Sequence, residues 1–171
     1  MGMATGRMVN SEALMEYRRG EFLISTSRER LSLDVVYGFL TNCYWAKGIP
    51  REVVARSIEH SLCFGIYDES PRLAREAGHG APAQVGFARV VSDFATVAYL
   101  GDVFVLESHR GQGLSKWLME CVMKHPALQN LRRWILLTRD AHGLYSQFGF
   151  TPVNAPERYM EFHRPNVYET P

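Results

Sequence analysis

The chain has 171 residues, which corresponds to one domain with room for a substantial core. Hydrophobic residues make up 46% of it and aromatic residues 12%, a composition that excludes a disordered chain. The 19 basic and 18 acidic residues leave a formal net charge of +1, so we expect no nucleic-acid partner and no membrane partner.

The apolar runs also argue against a membrane span, because the longest, such as residues 62–67, fall far short of the ~20 residues required. Residues 1–20 lack the apolar region of a secretion signal and are predicted to be a flexible N-terminal segment, which makes the cytoplasm the expected location. The 3 cysteines predict no disulfide framework, and the histidines lack metal-ligand spacing, so no metal site is expected.

The first half of the chain predicts one strand followed by two helices. Residues 21–25 form a short apolar run typical of a strand, and Ser32 is placed to cap a helix that ends near Asn42. Pro50 is well placed to begin a second helix. Tyr44 and Trp45 lie at the joint between these helices, where they either line a substrate pocket or close the core beneath the loop.

The middle of the chain predicts an antiparallel meander. Its strands cover residues 62–67, 84–91 and 96–105, and residues 68–82 are predicted to be a mobile loop. Phe94 belongs to the turn before the last of these strands, and Tyr99 lies within that strand. Both are candidates for the wall of a substrate pocket.

A glycine-containing loop follows this strand and leads into an amphipathic helix. Leu114, Trp117, Leu118, Cys121 and Val122 recur at the spacing of one helical face. Glycines at the start of a helix allow a ligand to approach the backbone amides, and the helix dipole favours an anion there. The pattern is consistent with a phosphate site, although an ordinary tight connection is the alternative.

The last part of the chain predicts another helical crossover. Pro126 ends the preceding helix near His125, and residues 133–138 form a strand parallel to the previous one. Asp140 is placed to cap a short helix that Gly149 ends, and residues 157–163 alternate as a final edge strand would. The predicted fold is α/β, with a mixed, mostly antiparallel sheet of about seven strands and about four helices.

This order of elements resembles the GNAT family of acyl-CoA-dependent N-acetyltransferases, and the resemblance implies a single three-layer domain over residues 21–165. The coenzyme loop of that family reads R or Q, x, x, G, x, G or A. The corresponding residues here are Arg110, Gly111, Gln112, Gly113, Leu114 and Ser115. Serine at the last position is a departure, but it leaves room for a pyrophosphate and keeps its amide.

A second motif of the family, N-x-x-A-x-x-L-Y-x-x-x-G-F, matches residues 138–150. The matching residues are Ala141, Leu144, Tyr145, Gly149 and Phe150, whereas Thr138 replaces the asparagine. That replacement changes one side chain that contacts the pantetheine in the family. Within the motif, Phe148 is also assigned to the coenzyme site. Both motifs in the expected order are a much stronger signal than either motif alone.

The resemblance implies acetyl transfer from acetyl-CoA to a primary amine of a small molecule or peptide. Backbone amides of Val103, Phe104 and Val105 would serve the thioester and pantetheine. Tyr145 would protonate the departing thiolate, since a phenol and a thiol have comparable acidity. Asp102 is the candidate base, with Glu107 and Asp93 as alternatives. If Asp102 is not the base, it is a strand carboxylate that accepts hydrogen bonds from the backbone or an arginine, and Tyr99 helps to hold a water that takes the proton instead.

Two further interpretations stay open. A domain of the same fold could bind acyl-CoA without turnover, as a regulatory or interaction module. A nucleotide-binding protein is less consistent with the sequence, because the loop lacks the lysine of a P-loop and the acidic residue of a dinucleotide-binding motif. A homodimer is also compatible with the sequence.

Overall fold

The computed structural model describes residues 14–71 and 83–168. One sheet contains the six strands of the described residues, in chain order: β1 (Glu16–Arg19), β2 (Phe22–Ser25), β3 (Leu62–Asp68), β4 (Ala83–Ser92), β5 (Val97–Val105) and β6 (Arg133–Ile135). All neighbours are antiparallel except β5 and β6, which are parallel. The mixed, mostly antiparallel sheet is therefore confirmed, with six described strands where about seven were predicted.

The α-helices of the described residues number four, as predicted: α1 (Leu33–Leu40), α2 (Arg51–Glu59), α3 (Leu114–Lys124) and α4 (His142–Tyr145). The Ser32 hydroxyl caps α1 by accepting a hydrogen bond from the Val35 amide at 3.3 Å. The cap predicted for α4 is wrong, because Thr138, not Asp140, accepts from the Ala141 amide, at 3.0 Å. The replacement for the family asparagine thus holds the start of this helix.

The sheet is covered on both faces, which gives the three layers that the resemblance implied. Alternate side chains of β3 point to opposite sides, so that Phe64 packs in the core beneath α3 and Cys63 in the core beneath α1 and α2. All seven residues of β3 are buried, as expected for a central strand.

A β-bulge interrupts β5 at Asp102. Phe104 pairs with Phe87 but Gly101 pairs with Arg89, so β5 has one residue more than β4 between these pairs. Asp102 takes up the extra residue with a positive φ of 53°. As a result, Phe104 faces the core under α1 and α2, whereas Leu100 faces the core under α3.

Both ends of the chain depart from the predictions. Residues 16–19 were predicted to belong to a flexible segment but form β1, because Gly20 with a φ of +58° allows a tight turn into β2. Residues 1–13 of that segment lie outside the described residues, as do residues 72–82 of the predicted loop. The edge strand predicted at residues 157–163 is wrong, since Pro156–Arg158 form a 3-10 helix and the following residues pair with no strand of the described chain.

Among the described residues, no helix combines the length and hydropathy needed to cross a membrane. No group of three or more histidine, cysteine, aspartate or glutamate side chains in these parts of the chain is arranged to hold a metal ion.

Candidate active site

The parallel pair β5 and β6 separates partway along β5. Their pairing covers Val97 to Tyr99 on β5, and its last partners are Tyr99 and Ile135. Beyond this point β5 continues to Val105, whereas the chain after β6 turns away toward α4. An opening therefore lies beside the second half of β5, where the described residues offer that edge no strand partner.

The residues predicted to bind the thioester, Val103, Phe104 and Val105, lie along this opening. Phe104 is buried and stacks on Phe39, with ring centroids 3.9 Å apart, and Val105 is buried in the opposite core. Their side chains hold the strand between its two cores. The strand thus offers its backbone groups, rather than these two side chains, to a ligand in the opening.

The glycine loop lies at the end of β5 and opens into α3. Gly111 and Gly113 have φ values of +78° and +70°, which side chains other than glycine rarely allow. A Cβ atom at Gly111 would meet nothing within 4 Å, so the space above the loop is open. No side chain caps α3, and its first turn contains no acidic residue. The loop, with Ser115 in the first turn, therefore fits a phosphate group.

Two arginines flank this loop. The predicted phosphate ligand Arg110 donates from Nε to the Val105 carbonyl at 3.2 Å and so ties the loop to the end of β5. Arg19 reaches across from β1: its guanidinium lies 4.7 Å from the Trp117 ring centroid and donates to the Gln112 carbonyl at 3.4 Å. Sequence reasoning missed Arg19, because β1 falls in the segment that was predicted to be flexible.

Tyr145 ends α4 on the far side of the opening. Its side chain is buried, with 8% of the residue exposed, and its hydroxyl makes no hydrogen bond to the described residues. Burial raises the pKa of Tyr145 to about 12, and the nearby Tyr44, Asp140 and Tyr99 act in the same direction. The phenol therefore keeps its proton throughout the physiological pH range, and Tyr44 and Tyr99 share its surroundings.

The joint between α1 and α2 supplies an aromatic wall. Tyr44 is 49% exposed and Trp45 is 44% exposed, which does not support the interpretation that these residues close the core beneath the loop. The two rings pack edge to face, with centroids 4.9 Å apart. The Arg139 guanidinium lies 3.7 Å from the Tyr44 ring centroid and connects this wall to the chain after β6. Sequence reasoning also missed Arg139, since it occupies a position of the second motif at which the family specifies no residue.

Asp102, the predicted base, has partners on both carboxylate oxygens. Oδ2 accepts a hydrogen bond from the Nε of Arg89, and the two residues form an ion pair. The Arg89 side chain is 20% exposed and the Asp102 side chain is 11% exposed. Oδ1 accepts from the Trp45 indole at 3.1 Å. This arrangement corresponds to the alternative in which Asp102 accepts hydrogen bonds from an arginine, and it ties the aromatic wall to the bulge in β5.

Four other predicted residues lie apart from the cluster of Asp102, Arg89 and Trp45. Phe94 and Asp93 belong to the β4–β5 turn, at the opposite end of β5 from Val105. Asp93 accepts from the Thr96 hydroxyl and from the amides of residues 95–97, and these bonds lower the pKa of its carboxyl. Phe148 packs against the core beneath α3 and borders a groove beside β6. Glu107, the other alternative base, is exposed in the 3-10 helix that follows β5.

Comparisons with known proteins agree with this architecture. The acetyltransferase (GNAT) domain model matches residues 61–152. A Gibberella zeae protein assigned as an acetyltransferase is 31% identical over 82% of this chain and 84% of its own length. A Xanthomonas campestris crystal structure assigned to the GNAT acetyltransferases is 49% identical over 87% of this chain and 97% of that chain, with a TM-score of 0.78.

A more distant structure shares the fold alone. A Clostridium acetobutylicum protein assigned as an acetyltransferase and crystallised with acetyl-CoA is 12% identical, with a TM-score of 0.56, over 83% of this chain and 94% of that one. The family model spans β3 through α4 and therefore covers the strand, the glycine loop and the tyrosine of the candidate site. The chain belongs to the GNAT family of acetyltransferases and is an acyltransferase.

Proposed function

We propose that the protein transfers the acetyl group of acetyl-CoA to a primary amine of a small molecule or peptide, by direct attack and with Tyr145 as the general acid. The observation that carries this proposal is the opening between β5 and the chain after β6. The glycine loop lies at its outer end, the edge of β5 that pairs with no strand of the described residues forms one side, and Tyr145, at the end of α4, lies on the other side.

The fit of the loop to a phosphate supports its role in coenzyme binding. Amides of Gly111, Gln112, Gly113, Leu114 and Ser115 would hold the pyrophosphate, with charge supplied by Arg110 and Arg19. The backbone of Val103 to Val105 would pair with the amides of the pantetheine arm, much as another strand would. Acetyl-CoA supplies a thioester, whose carbonyl carbon accepts the amine.

The chemistry requires two proton movements. The neutral amine nitrogen attacks the thioester carbonyl carbon and forms the C–N bond, and a β5 amide donates to the carbonyl oxygen as negative charge develops there. The C–S bond then breaks, and Tyr145 gives its hydroxyl proton to the departing sulfur. The nitrogen loses one proton, so that the products are an amide and a thiol. Solvent returns a proton to the tyrosinate.

The geometry favours water, rather than Asp102, as the route for the nitrogen proton. Both oxygens of Asp102 already accept hydrogen bonds, from Arg89 and Trp45, which leaves this carboxylate poorly placed to take a proton. We assign Asp102 a positioning role, in which it fixes the β5 bulge and the indole of Trp45. Tyr99 lies on the same stretch of β5 and is suited to hold the water.

The acceptor amine would enter along the aromatic wall of Tyr44 and Trp45. Arg139 adds a positive charge to this wall, which favours acceptors that carry a carboxylate or phosphate over polyamines. Phe94, at the other end of β5, is not part of this pocket in our proposal. The three cysteines are free thiols, which suits a reducing compartment such as the cytoplasm.

Calorimetry with acetyl-CoA, followed by a thiol-release assay over a panel of amines with and without acidic groups, tests the proposal. We expect coenzyme binding and amine-dependent thiol release. Binding without release for any amine would support the non-catalytic acyl-CoA module instead. A protein that does not bind acetyl-CoA would exclude both.

A further inference from the structure

A histidine and an aspartate join the glycine loop to the end of β3. His109 is the last residue of the 3-10 helix that follows β5, and it lies two positions before Gly111. Its Nε2 lies 3.3 Å from Oδ2 of Asp68, the last residue of β3, and its Nδ1 lies 2.8 Å from the Ser108 hydroxyl. The His109 side chain is 12% exposed and the Asp68 side chain is 10% exposed. The pair is therefore largely shielded from water.

Asp68 carries a negative charge at this place. Burial disfavours the charged form, but hydrogen bonds from Ser70 and His109 outweigh burial and lower the pKa of the Asp68 carboxyl. The Ser70 amide donates to Oδ1 at 2.8 Å, so both carboxylate oxygens have partners. Asp68 is consequently an anion at the end of the sheet where we place the phosphates of the coenzyme.

The His109 ring can hold one proton or two without losing a partner. With one proton, on Nε2, it donates to Asp68 and accepts at Nδ1 from the Ser108 hydroxyl. With two protons, Nδ1 donates to the same hydroxyl oxygen. Phe22 packs edge to face against the ring, with centroids 6.4 Å apart, and brings no charge. Protonation thus changes the pair from negative to neutral while its hydrogen bonds persist.

Three other charged side chains lie close to this pair along the chain. Glu69 follows β3 and forms an ion pair with Arg18 on β1. Glu107 and Arg110 lie on either side of His109 and have opposite charges. Imidazole is the side chain whose charge ordinarily changes between pH 5 and 8. A change of charge beside the glycine loop in this range therefore points to His109.

We propose that His109 and Asp68 are positioning residues for acetyl-CoA, which binds more tightly when the imidazole holds two protons. This inference rests on the coenzyme role proposed above for the glycine loop. The pair anchors the chain that leads into the loop, and Arg19 holds the same loop through the Gln112 carbonyl. When the imidazole is neutral, the charge of Asp68 opposes the phosphates, whereas an imidazolium offsets it. By linkage, coenzyme binding favours proton uptake by His109.

The test is calorimetry of acetyl-CoA binding to the full chain between about pH 5.5 and pH 8, in buffers that differ in ionisation enthalpy. We expect the wild-type Kd to rise with pH and binding to take up part of a proton. His109→Gln keeps a donor for Asp68 but cannot become charged. Its Kd should be about threefold to tenfold above the wild-type value at the lowest pH and equal to it at the highest.

Two comparisons control this measurement. Because the phosphate monoester of the coenzyme also titrates in this range, each variant is compared with the wild type at the same pH. His60→Gln is the matched histidine control. His60 is exposed at the end of α2, two residues before β3 begins, and so lies at the opposite end of that strand from Asp68. Its substitution should leave the pH dependence of the Kd unchanged.

Asp68→Asn separates the charge of the pair from its support of the loop. Asparagine still accepts from His109 but no longer opposes the phosphates, so this variant should bind acetyl-CoA about threefold more tightly than the wild type at pH 8. A residue that only supports the loop would instead lose affinity when it is substituted. The value of kcat at saturating coenzyme should change by less than about twofold, because the pair does not touch the reacting atoms.

An equal pH dependence of the Kd in the wild type and His109→Gln would overturn the proposal. An Asp68→Asn protein that binds less tightly at pH 8 would do the same, since the pair would then only support the loop. Both results include coenzyme binding and leave the proposed function intact. A wild-type protein that does not bind acetyl-CoA at any of these pH values would remove the coenzyme role of the loop and this inference with it.

Discussion

Arg89 on β4 and Asp102 on β5 form an ion pair at the bulge of the thioester strand. The other oxygen of the carboxylate accepts from Trp45, on the wall where we place the acceptor amine. One side chain thus connects the shape of the strand to the position of the pocket. Because of this connection, a substitution of Asp102 should affect both the stability of the protein and the rate of the reaction, although Asp102 itself does not transfer a proton.

Asp102→Asn separates a positioning role from a base. Asparagine adopts positive φ readily and can still accept from Trp45, so the substitution removes the charge with little effect on the backbone. We expect the free energy of unfolding to fall by about 1–3 kcal/mol, because Arg89 loses its partly buried ionic partner. Chemical denaturation measures this change.

The same variant should keep the pH dependence of the wild-type rate. If Asp102 positions the strand, kcat falls by about tenfold, and the acid limb of the rate profile stays where it is. A loss of ~10²-fold or more, together with disappearance of the acid limb, would instead identify Asp102 as the base. Arg89→Gln, which breaks the same ion pair from the other side, should reproduce the modest effect.

Tyr145→Phe tests the general acid. The ring keeps its contact with Phe150, 6.0 Å between centroids, and the lost hydroxyl makes no hydrogen bond to the described residues, so stability should change by less than about 0.5 kcal/mol. We expect kcat to fall by ~10²-fold or more, with acetyl-CoA affinity unchanged. Tyr17→Phe is the matched control: it also removes a phenol hydroxyl, one that is buried without a partner among the described residues, but it lies on β1, and the rate should not change. A Tyr145→Phe enzyme with full turnover would remove the assignment.

The raised pKa of Tyr145 has a consequence for stability at high pH. The phenol ionises near its usual pKa of 10.0 in the unfolded chain and near 12 in the folded chain. The folded state therefore holds the proton more tightly. The protonated phenol contributes its full share to the free energy of unfolding below pH 10, and this contribution is lost as the pH rises through 12. Wild type should lose more stability than Tyr145→Phe between these two pH values in parallel denaturant titrations. Equal losses would contradict the burial of this phenol.

Sequence patterns predicted the central strands and helices of this fold more accurately than the segments before β2 and after α4. The apolar run of β3, the Ser32 cap and the glycine loop each depend on neighbouring residues, so the sequence alone predicts them. The bulge at Asp102 depends on pairing with β4, and the position of Arg19 depends on packing against Trp117 nearly a hundred residues later. Residues 157–163 have the alternation of a strand, but alternation does not say whether a partner strand is present.

Arg19→Gln should weaken coenzyme binding. The guanidinium adjoins the glycine loop, and a charge-assisted hydrogen bond to a phosphate would be lost, so we expect the Kd for acetyl-CoA to rise by about threefold to tenfold in calorimetry. Arg18→Gln removes the same charge from the adjacent position of β1, where the side chain pairs with Glu69, and should change the Kd by less than about twofold. Equal effects of the two variants would indicate only a general change in charge.

Gly113→Ala tests whether the loop requires glycine for binding as well as for folding. At a φ of +70° an alanine is strained by about 1 kcal/mol, and the Cβ atom would project beside the amides that receive the phosphate. The nearest atom to that Cβ is Nη2 of Arg19 at 3.9 Å, so the protein itself leaves room and only the ligand would be crowded. Acetyl-CoA affinity should therefore fall by more than tenfold, a larger loss than the strain alone produces.

Gly38→Ala provides the control: it lies in α1 with open space around it and should stabilise the fold by about 0.5–1 kcal/mol without changing affinity. A Gly113→Ala protein that loses stability but binds the coenzyme normally would show that the loop is only a tight connection.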